Sequence, residues 1–152
     1  MKPSGKFAAL YQGSKALLAY PTNQTTAGFC HAAEPFLHVE NDATQALGAA
    51  VRKALAEYRN DLPAPARDAF KAISQPRWSA ARVRSETEFM RGARYVVINE
   101  DEAFTLVPHS NRGVVGSMKG FEANVTKAIS LPSTADDLAL GAACLQALAL
   151  CE

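Results

Sequence analysis

Cys30 and His31 stand side by side, and a thiol beside an imidazole is the pair from which a thiolate nucleophile and its base are made. Adjacent side chains generally diverge, however, and no Asn or Asp is placed by sequence to orient the imidazole, so cysteine catalysis is not expected. Cys30, His31, His38 and His109 are zinc-ligand types, yet none falls into the paired spacings of a structural zinc site. Gly113-Val114-Val115-Gly116-Ser117-Met118-Lys119-Gly120 carries glycines as a phosphate-cradling loop does. It lacks the GKS or GKT order and a regular strand directly before it, and reads as a flexible surface loop. No metal or cofactor is expected.

Two further groups could serve recognition. Arg77, Arg82, Arg84, Arg91 and Arg94, with Trp78 and Phe89 among them, are types that grip RNA: guanidinium groups contact phosphate and aromatic rings stack on bases. Glu86 and Glu88 interrupt the stretch, and without an RNA-binding motif a solvated helix with local ion pairs is the commoner outcome. A small RNA-binding module built on Arg77 to Arg94 is the alternative reading. The densest carboxylate group, Glu100, Asp101 and Glu102, falls on a hairpin tip, where a water-excluding catalytic pocket is least expected.

The elements that position these groups follow from periodicity and punctuation. Phe7 to Tyr11 and Lys15 to Tyr20 flank Gln12-Gly13-Ser14 and predict a hairpin that Pro21 ends. Residues 21 to 35 are polar and turn-rich and predict an exposed loop. A helix is expected over Ala66 to Ser74, ended by Pro76, and residues 77 to 92 are expected to be partly helical. Tyr95 to Ile98 and Ala103 to Val107 predict a second hairpin with the acidic tip, closed by Pro108. Residues 109 to 127 show no periodicity, and an irregular segment of that length is more often functional or mobile than filler.

One passage occurs twice. Ala46 to Ala50 with Ala54 to Ala56 recurs 93 positions later as Ala139 to Ala143 with Ala147 to Ala149. Each copy follows a short apolar run (Phe36 to Val39, Ala128 to Leu131) and residues able to cap a helix (Asn41 and Asp42, Ser133 and Thr134), giving strand, cap, helix twice. Alanine-rich helices match by composition alone, but a Gly inside each LGAA costs a helix about 0.5 to 1 kcal/mol relative to Ala. Close packing of the helix backbone on a sheet would offset that cost. Two copies are too few for a solenoid. The expectation is an α/β (α+β) single domain over residues 1–152, with a mainly antiparallel or mixed sheet, packed helices and two pseudo-repeated strand-helix units.

Composition agrees. At 152 residues, 48% hydrophobic and 20% charged, the chain suits one globular domain. A net charge of +1 gives no bulk attraction to nucleic acid or anionic lipid, although residues 52 to 94 hold ten bases against five acids and 95 to 152 seven acids against three bases. Three cysteines without CxxC spacing fit a reducing compartment, for which cytoplasm is the simplest placement. The first apolar run is too short for a signal peptide, and Leu138 to Cys151 is short of a membrane span, which needs roughly 20 residues.

In order, these pieces resemble the CdiI immunity proteins of bacterial contact-dependent growth inhibition, in a branch with two strand-then-LG(A/Q)A segments. The likeness runs through the first hairpin, Phe36-Leu37-His38-Val39 with Leu47-Gly48-Ala49-Ala50-Val51, and Phe89-Met90 before a strand ending at Val107-Pro108-His109-Ser110. It ends on Ile129-Ser130-Leu131-Pro132 with Leu140-Gly141-Ala142-Ala143. The resemblance implies a cytoplasmic protein without catalytic activity or cofactor. It would form a heterodimer with the C-terminal toxin domain of a cognate CdiA effector, often a nuclease acting on tRNA or other RNA. No nucleic acid, membrane or small-molecule substrate would be a direct partner. Because such a nuclease needs a basic cleft, the candidate contact residues are Glu100, Asp101 and Glu102, then Glu86 and Glu88, with His109 and Arg112 at the far end of the same hairpin strand.

Overall fold

The computed structural model describes residues 5–28, 30–41 and 43–152. The chain runs through β1 (Lys6–Gln12), β2 (Leu17–Gln24), β3 (Cys30–Ala32), β4 (Leu37–His38) and α1 (Thr44–Ala56). After α2 (Phe70–Ala81) and α3 (Glu86–Met90) come β5 (Arg94–Glu100), β6 (Ala103–Asn111), β7 (Phe121–Ala123), β8 (Ile129–Pro132) and α4 (Asp137–Ala149). The plan of the first run, a hairpin, two short strands and a helix, is repeated by the last. β1 and β5 pair antiparallel at the centre, with Ala9 opposite Val97, and every ladder is antiparallel. Outside the centre, β2 pairs with both β3 and β4, and β6 with both β7 and β8. The sequence repeat is thus one copy of a larger structural repeat.

Two prolines read as strand terminators lie inside strands. Pro21 sits opposite Ala8 in β2, and Pro108 opposite Val96 in β6. The Pro21 carbonyl accepts from Ala33 N and the Pro108 carbonyl from Asn124 N, so both residues turn their polar side away from the central strands. That side is the gap between two short edge strands: β4 pairs only as far as Ala19, and β3 starts at Thr22. Likewise β8 reaches Leu106 and β7 starts at His109. A missing N–H costs no ladder bond there, which is how proline is tolerated at a sheet edge.

The expected loop over residues 21–35 is corrected by the same extension of β2. Thr22, Asn23, Gln24 and Thr25 are buried. Their polarity is answered by the segment after α1: Asn23 Oδ1 accepts from Arg59 N, Gln24 N donates to Arg59 O, and Thr26 N donates to Leu62 O, all at 2.8–2.9 Å. The irregular segment from 109 also shrinks, because 109–111 complete β6 and Phe121–Ala123 form β7. Pro76 does not end the second helix. It lies inside α2 on the exposed side, while Trp78 and Ala81 anchor the remainder in the core. α2 stops instead at Arg82, whose left-handed backbone (φ 62°) places Val83 N on Trp78 O, a Schellman-type ending.

The sheet is covered on both faces. α1 and α4 lie on one, where Leu47, Val51, Leu55, Leu140, Ala143 and Leu148 meet Ala8, Leu10, Ile98, Phe104 and Leu106. α2 and α3 lie on the other, over Ala9, Tyr11, Leu18 and Tyr20. The repeat glycines are buried, but the close approach is helix to helix and not helix to sheet. A Cβ on Gly48 would overlap the Asp137 carbonyl and stand 2.9 Å from Gly141 N; one on Gly141 would overlap the Thr44 carbonyl and stand 3.1 Å from Gly48 N. Thr44 and Asp137 are again 93 positions apart, so the crossing is reciprocal. Arg52 ties the pair from the side through Asp137 Oδ1 at 2.8 Å and Ala135 O at 2.6 Å.

The caps differ from expectation. Asp136, not Ser133 or Thr134, caps α4, its Oδ1 accepting from Ala139 N at 2.8 Å. The N-cap position of α1 is Ala43, which has no polar side chain to cap with; Asn41 lies before it, and Asp42 lies outside the described residues.

Candidate functional site

The acidic tip is the turn between β5 and β6. Asp101 N donates to Ala103 O at 3.1 Å, which closes the turn, and both Asp101 and Glu102 are exposed while Glu100 is half-buried. Gly5, at φ +96°, buttresses the turn: an added Cβ would stand 2.5 Å from Glu100 O and 3.1 Å from Asp101 Cβ. A side chain there would push the tip away, and the positive φ itself favours glycine. Lys6 faces Glu100 across the β1–β5 ladder and offsets part of the tip's negative charge.

The other expected carboxylates lie elsewhere. Glu86 and Glu88 are on α3, over the second face of the sheet. Glu86 accepts from Arg77 and, at 2.7 Å, from Trp78 Nε1. Glu88 works as the third helical residue of a capping arrangement, its N–H donating to Ser85 Oγ and its carboxylate accepting from Arg84 N. His109 is toward the opposite end of β6 from the tip, about 23 Å away at a rise of about 3.3 Å per residue, and Arg112 lies just beyond the strand. His109 packs edge-on against Tyr95, and burial lowers its pKa. Arg112 pairs with Glu122 at 2.7 Å. The fold therefore does not bring the expected contact residues into one patch.

The Arg77 to Arg94 stretch is not laid out for stacking on bases. Phe89 is 1% and Trp78 9% exposed, Phe89 stacks on Tyr11 at 4.0 Å, and Arg77 spreads over the Phe89 ring at 4.3 Å. Its aromatic residues are core and offer bases no stacking platform, whereas Arg82, Arg84, Arg91 and Arg94 are exposed.

Cys30 and His31 sit on the edge strand β3. Partial desolvation raises the Cys30 thiol although the residue is exposed overall, and His31 Nδ1 stands 3.1 Å from Ala32 O. Among the described residues no three His, Cys, Asp or Glu side chains gather closely enough to hold a metal ion. The 113–120 loop is pinned at its base by Arg112 N to Gly120 O at 2.8 Å and Gly120 N to Gly113 O at 3.1 Å. It holds out Val115 and Met118, which are 80% and 70% exposed. They lie in the glycine-rich segment that the sequence already marks as more often functional than filler, although neither residue stands out there by type.

A cavity of about 310 Å³ opens on the α2 side of the sheet, lined by Phe7, Tyr20, Thr22, Arg77, Tyr95 and Val97, with Cys30 and His31 at β3. Burial drives the Tyr95 phenol to about 12, partly countered by Arg77 and by the neighbouring Tyr20 hydroxyl, and holds Tyr20 well above its ordinary value. Tyr20 Oη nevertheless has no hydrogen bond of normal geometry, and neither does buried Arg77 Nε. These residues come from separate strands and a helix, with no local motif to announce them.

No family model matches the chain, and no curated protein matches it in sequence. Its fold does match solved structures. One is a protein of unknown function from Neisseria meningitidis, with a TM-score of 0.78 and 14% identity over 100% of this chain and 98% of that one. Another is a chain of the CdiA-CT/CdiI toxin and immunity complex from Yersinia pseudotuberculosis, with a TM-score of 0.77 and 13% identity over 99% of both chains. The chain has a CdiI-like fold from end to end. Among the described residues no helix is long and apolar enough to cross a membrane.

Proposed function

We propose that this chain is an immunity protein that binds and neutralises the C-terminal toxin domain of a cognate CdiA effector. The observation that carries the reading is the full-length fold match to a chain of a toxin and immunity complex. The mechanism is occlusion, not catalysis: the chain forms a heterodimer with the toxin in the cytoplasm and needs no cofactor. The toxin is a nuclease, with tRNA as its expected substrate.

A standard interface buries about 1,600 Å² in total and draws its energy from a few anchors. Two features support such a surface here. The tip carries Glu100, Asp101 and Glu102, carboxylates that suit a basic cleft, and the 113–120 loop offers Val115 and Met118 as apolar anchors. The two features are far apart, so they are rival centres for the contact and not one patch. Glu86, Glu88, His109 and Arg112 rank below them because each already serves a neighbour within the fold.

The deciding experiment is co-expression with the product of the adjacent upstream gene, followed by purification and a growth assay. A stoichiometric complex and rescue of growth are expected. A soluble toxin that neither binds the chain nor loses toxicity in its presence would sink the proposal.

A further inference from the structure

We propose that the end of the sheet where β5 begins is a contact surface for the phosphate backbone of a double-helical nucleic acid. The arginines divide into two groups. Arg52, Arg59, Arg77 and Arg112 each hold a carboxylate within the fold. Arg82, Arg84, Arg91 and Arg94 are exposed, and among the described residues none of them forms an ion pair. The fold gathers this second group. Arg94 opens β5 opposite Gln12, the last residue of β1, and the turn that follows β1 carries exposed Lys15. Lys15 Nζ donates to Arg82 O at 3.4 Å, at the end of α2. Arg84 lies two positions on, and Arg91 follows α3 directly before the turn into β5. Acids nearby are few and mostly engaged: Glu88 accepts from Arg84 N and Glu86 from Arg77 and Trp78, while Glu40 shares a polar hollow of about 360 Å³ with Lys15, His38 and Arg82. Five positive charges thus stand together, about 20 Å from the acidic tip at the other end of β5.

The residue types select the ligand. Four of the five cations are arginine, whose planar fork takes two oxygens of a phosphate at once. A run of phosphates answers several such forks together, and each contact releases a counterion, which is the source of the affinity. The chain's net charge of +1 does not oppose this, because charges beyond a Debye length of about 8 to 10 Å are largely screened. Single strands are held by stacking their bases on exposed rings, and the rings of this region, Trp78 and Phe89, are buried. The partner is therefore a duplex, gripped by its backbone and without sequence preference. This inference stands apart from the toxin reading, since the surface lies on the chain alone.

The test titrates the full chain into labelled RNA and DNA duplexes of about 16 base pairs, the span of a typical double-strand-binding domain, and reads anisotropy between about 50 and 200 mM salt. Saturable binding is expected, weakening by about two orders of magnitude over that range, a log–log slope of about −4 for about five phosphate contacts. Arg91→Gln with Arg94→Gln should reduce the slope by about 2, and Lys15→Gln by about 1. Lys53→Gln with Lys71→Gln, an equal change of charge on exposed lysines of α1 and α2, should leave it as it is. Tighter binding of one duplex assigns the surface to RNA or to DNA, and equal binding to the backbone chemistry they share. The proposal is overturned by the lack of saturable duplex binding, by an undiminished slope in the patch variants, or by an equal loss in the Lys53 and Lys71 control. It is also overturned by poly-glutamate binding as tightly as the duplexes, which would assign the surface to an acidic protein.

Discussion

The two faces of the sheet are closed by opposite means. Under α1 and α4 the contacts are aliphatic but for Phe104, the helices touch backbone to backbone at Gly48 and Gly141, and there is no room for one added methyl group. Under α2 and α3 the contacts are aromatic and polar: Tyr11 donates to Phe89 O at 2.6 Å, Arg77 covers Phe89, Glu86 collects Arg77 and Trp78, and a cavity is left beside them. The first face is built from the repeat, whereas the second is built from the segment inserted between the repeats. The difference teaches that symmetry supplied the scaffold here and the insertion supplied the chemistry.

The comparison breaks most readily at the helix crossing. Gly141→Leu should lose at least about 3 kcal/mol, the top of the usual overpacking range. Even Gly141→Ala should destabilise, although Ala is the better helix former by about 1 kcal/mol. Combining it with Gly48→Ala should cost less than the two single changes summed, because one displacement of the helices relieves both clashes. Urea midpoints decide this, and an unchanged midpoint for Gly141→Ala would refute the tight crossing.

Alkaline pH separates the faces next. Burial pushes Tyr11 and Tyr95 from 10.0 to about 12, and Tyr20 in the same direction. The unfolded chain ionises first, so their contribution is complete below pH 10 and is lost as pH rises toward 12. The opposite face adds Cys144, desolvated from 9.0 to about 12. Urea titrations should show the loss above pH 10 flattened by Tyr95→Phe, and a loss that already starts near pH 9 flattened by Cys144→Ala.

The acidic tip belongs to the rim between the faces, and there sequence changes should leave the fold alone. Changing Glu100, Asp101 and Glu102 together to Lys should slow association with the toxin at least about tenfold at low salt, equivalent to about 1.4 kcal/mol. Stability should stay within about 0.5 kcal/mol. Stopped-flow association of a folded triple variant at the parent's rate would move the interface to the 113–120 loop. The smallest contrast lies within the polar face: Tyr11→Phe should lose about 1 kcal/mol with its 2.6 Å hydrogen bond to Phe89 O, and Tyr20→Phe should lose less, its hydroxyl having no partner of normal geometry.

Much of the scaffold is legible in residues 7–20, 46–56, 95–107 and 139–149, because alternation and helical spacing there coincide with burial. Proline misled the reading three times. Its cost depends on whether an N–H was needed, and at Pro21 and Pro108 the answer lies in which edge strands stop where, a fact of tertiary pairing. Thr22 to Thr25 look like a loop because polar residues are seldom buried, and their partners on β3 and at Arg59 and Leu62, more than thirty positions on, are tertiary facts. The acidic tip could be read directly, since turn chemistry is local. The cavity could not: Tyr20, Arg77 and Tyr95 meet only when β2, α2 and β5 are assembled.

The reciprocal glycine crossing also sets an order of events during synthesis. α4, thirteen residues long, follows every other element in the chain, and its partner α1 lies 93 positions earlier. β1 likewise waits for β5. Contacts of such long sequence separation close slowly and late. Until α4 leaves the ribosome, α1 can rest on the sheet but Gly48 has no helix to cross, so the core on that face stays half built. A partly made copy therefore lacks the crossing that closes this face, and the fold is complete only when the last helix is synthesised.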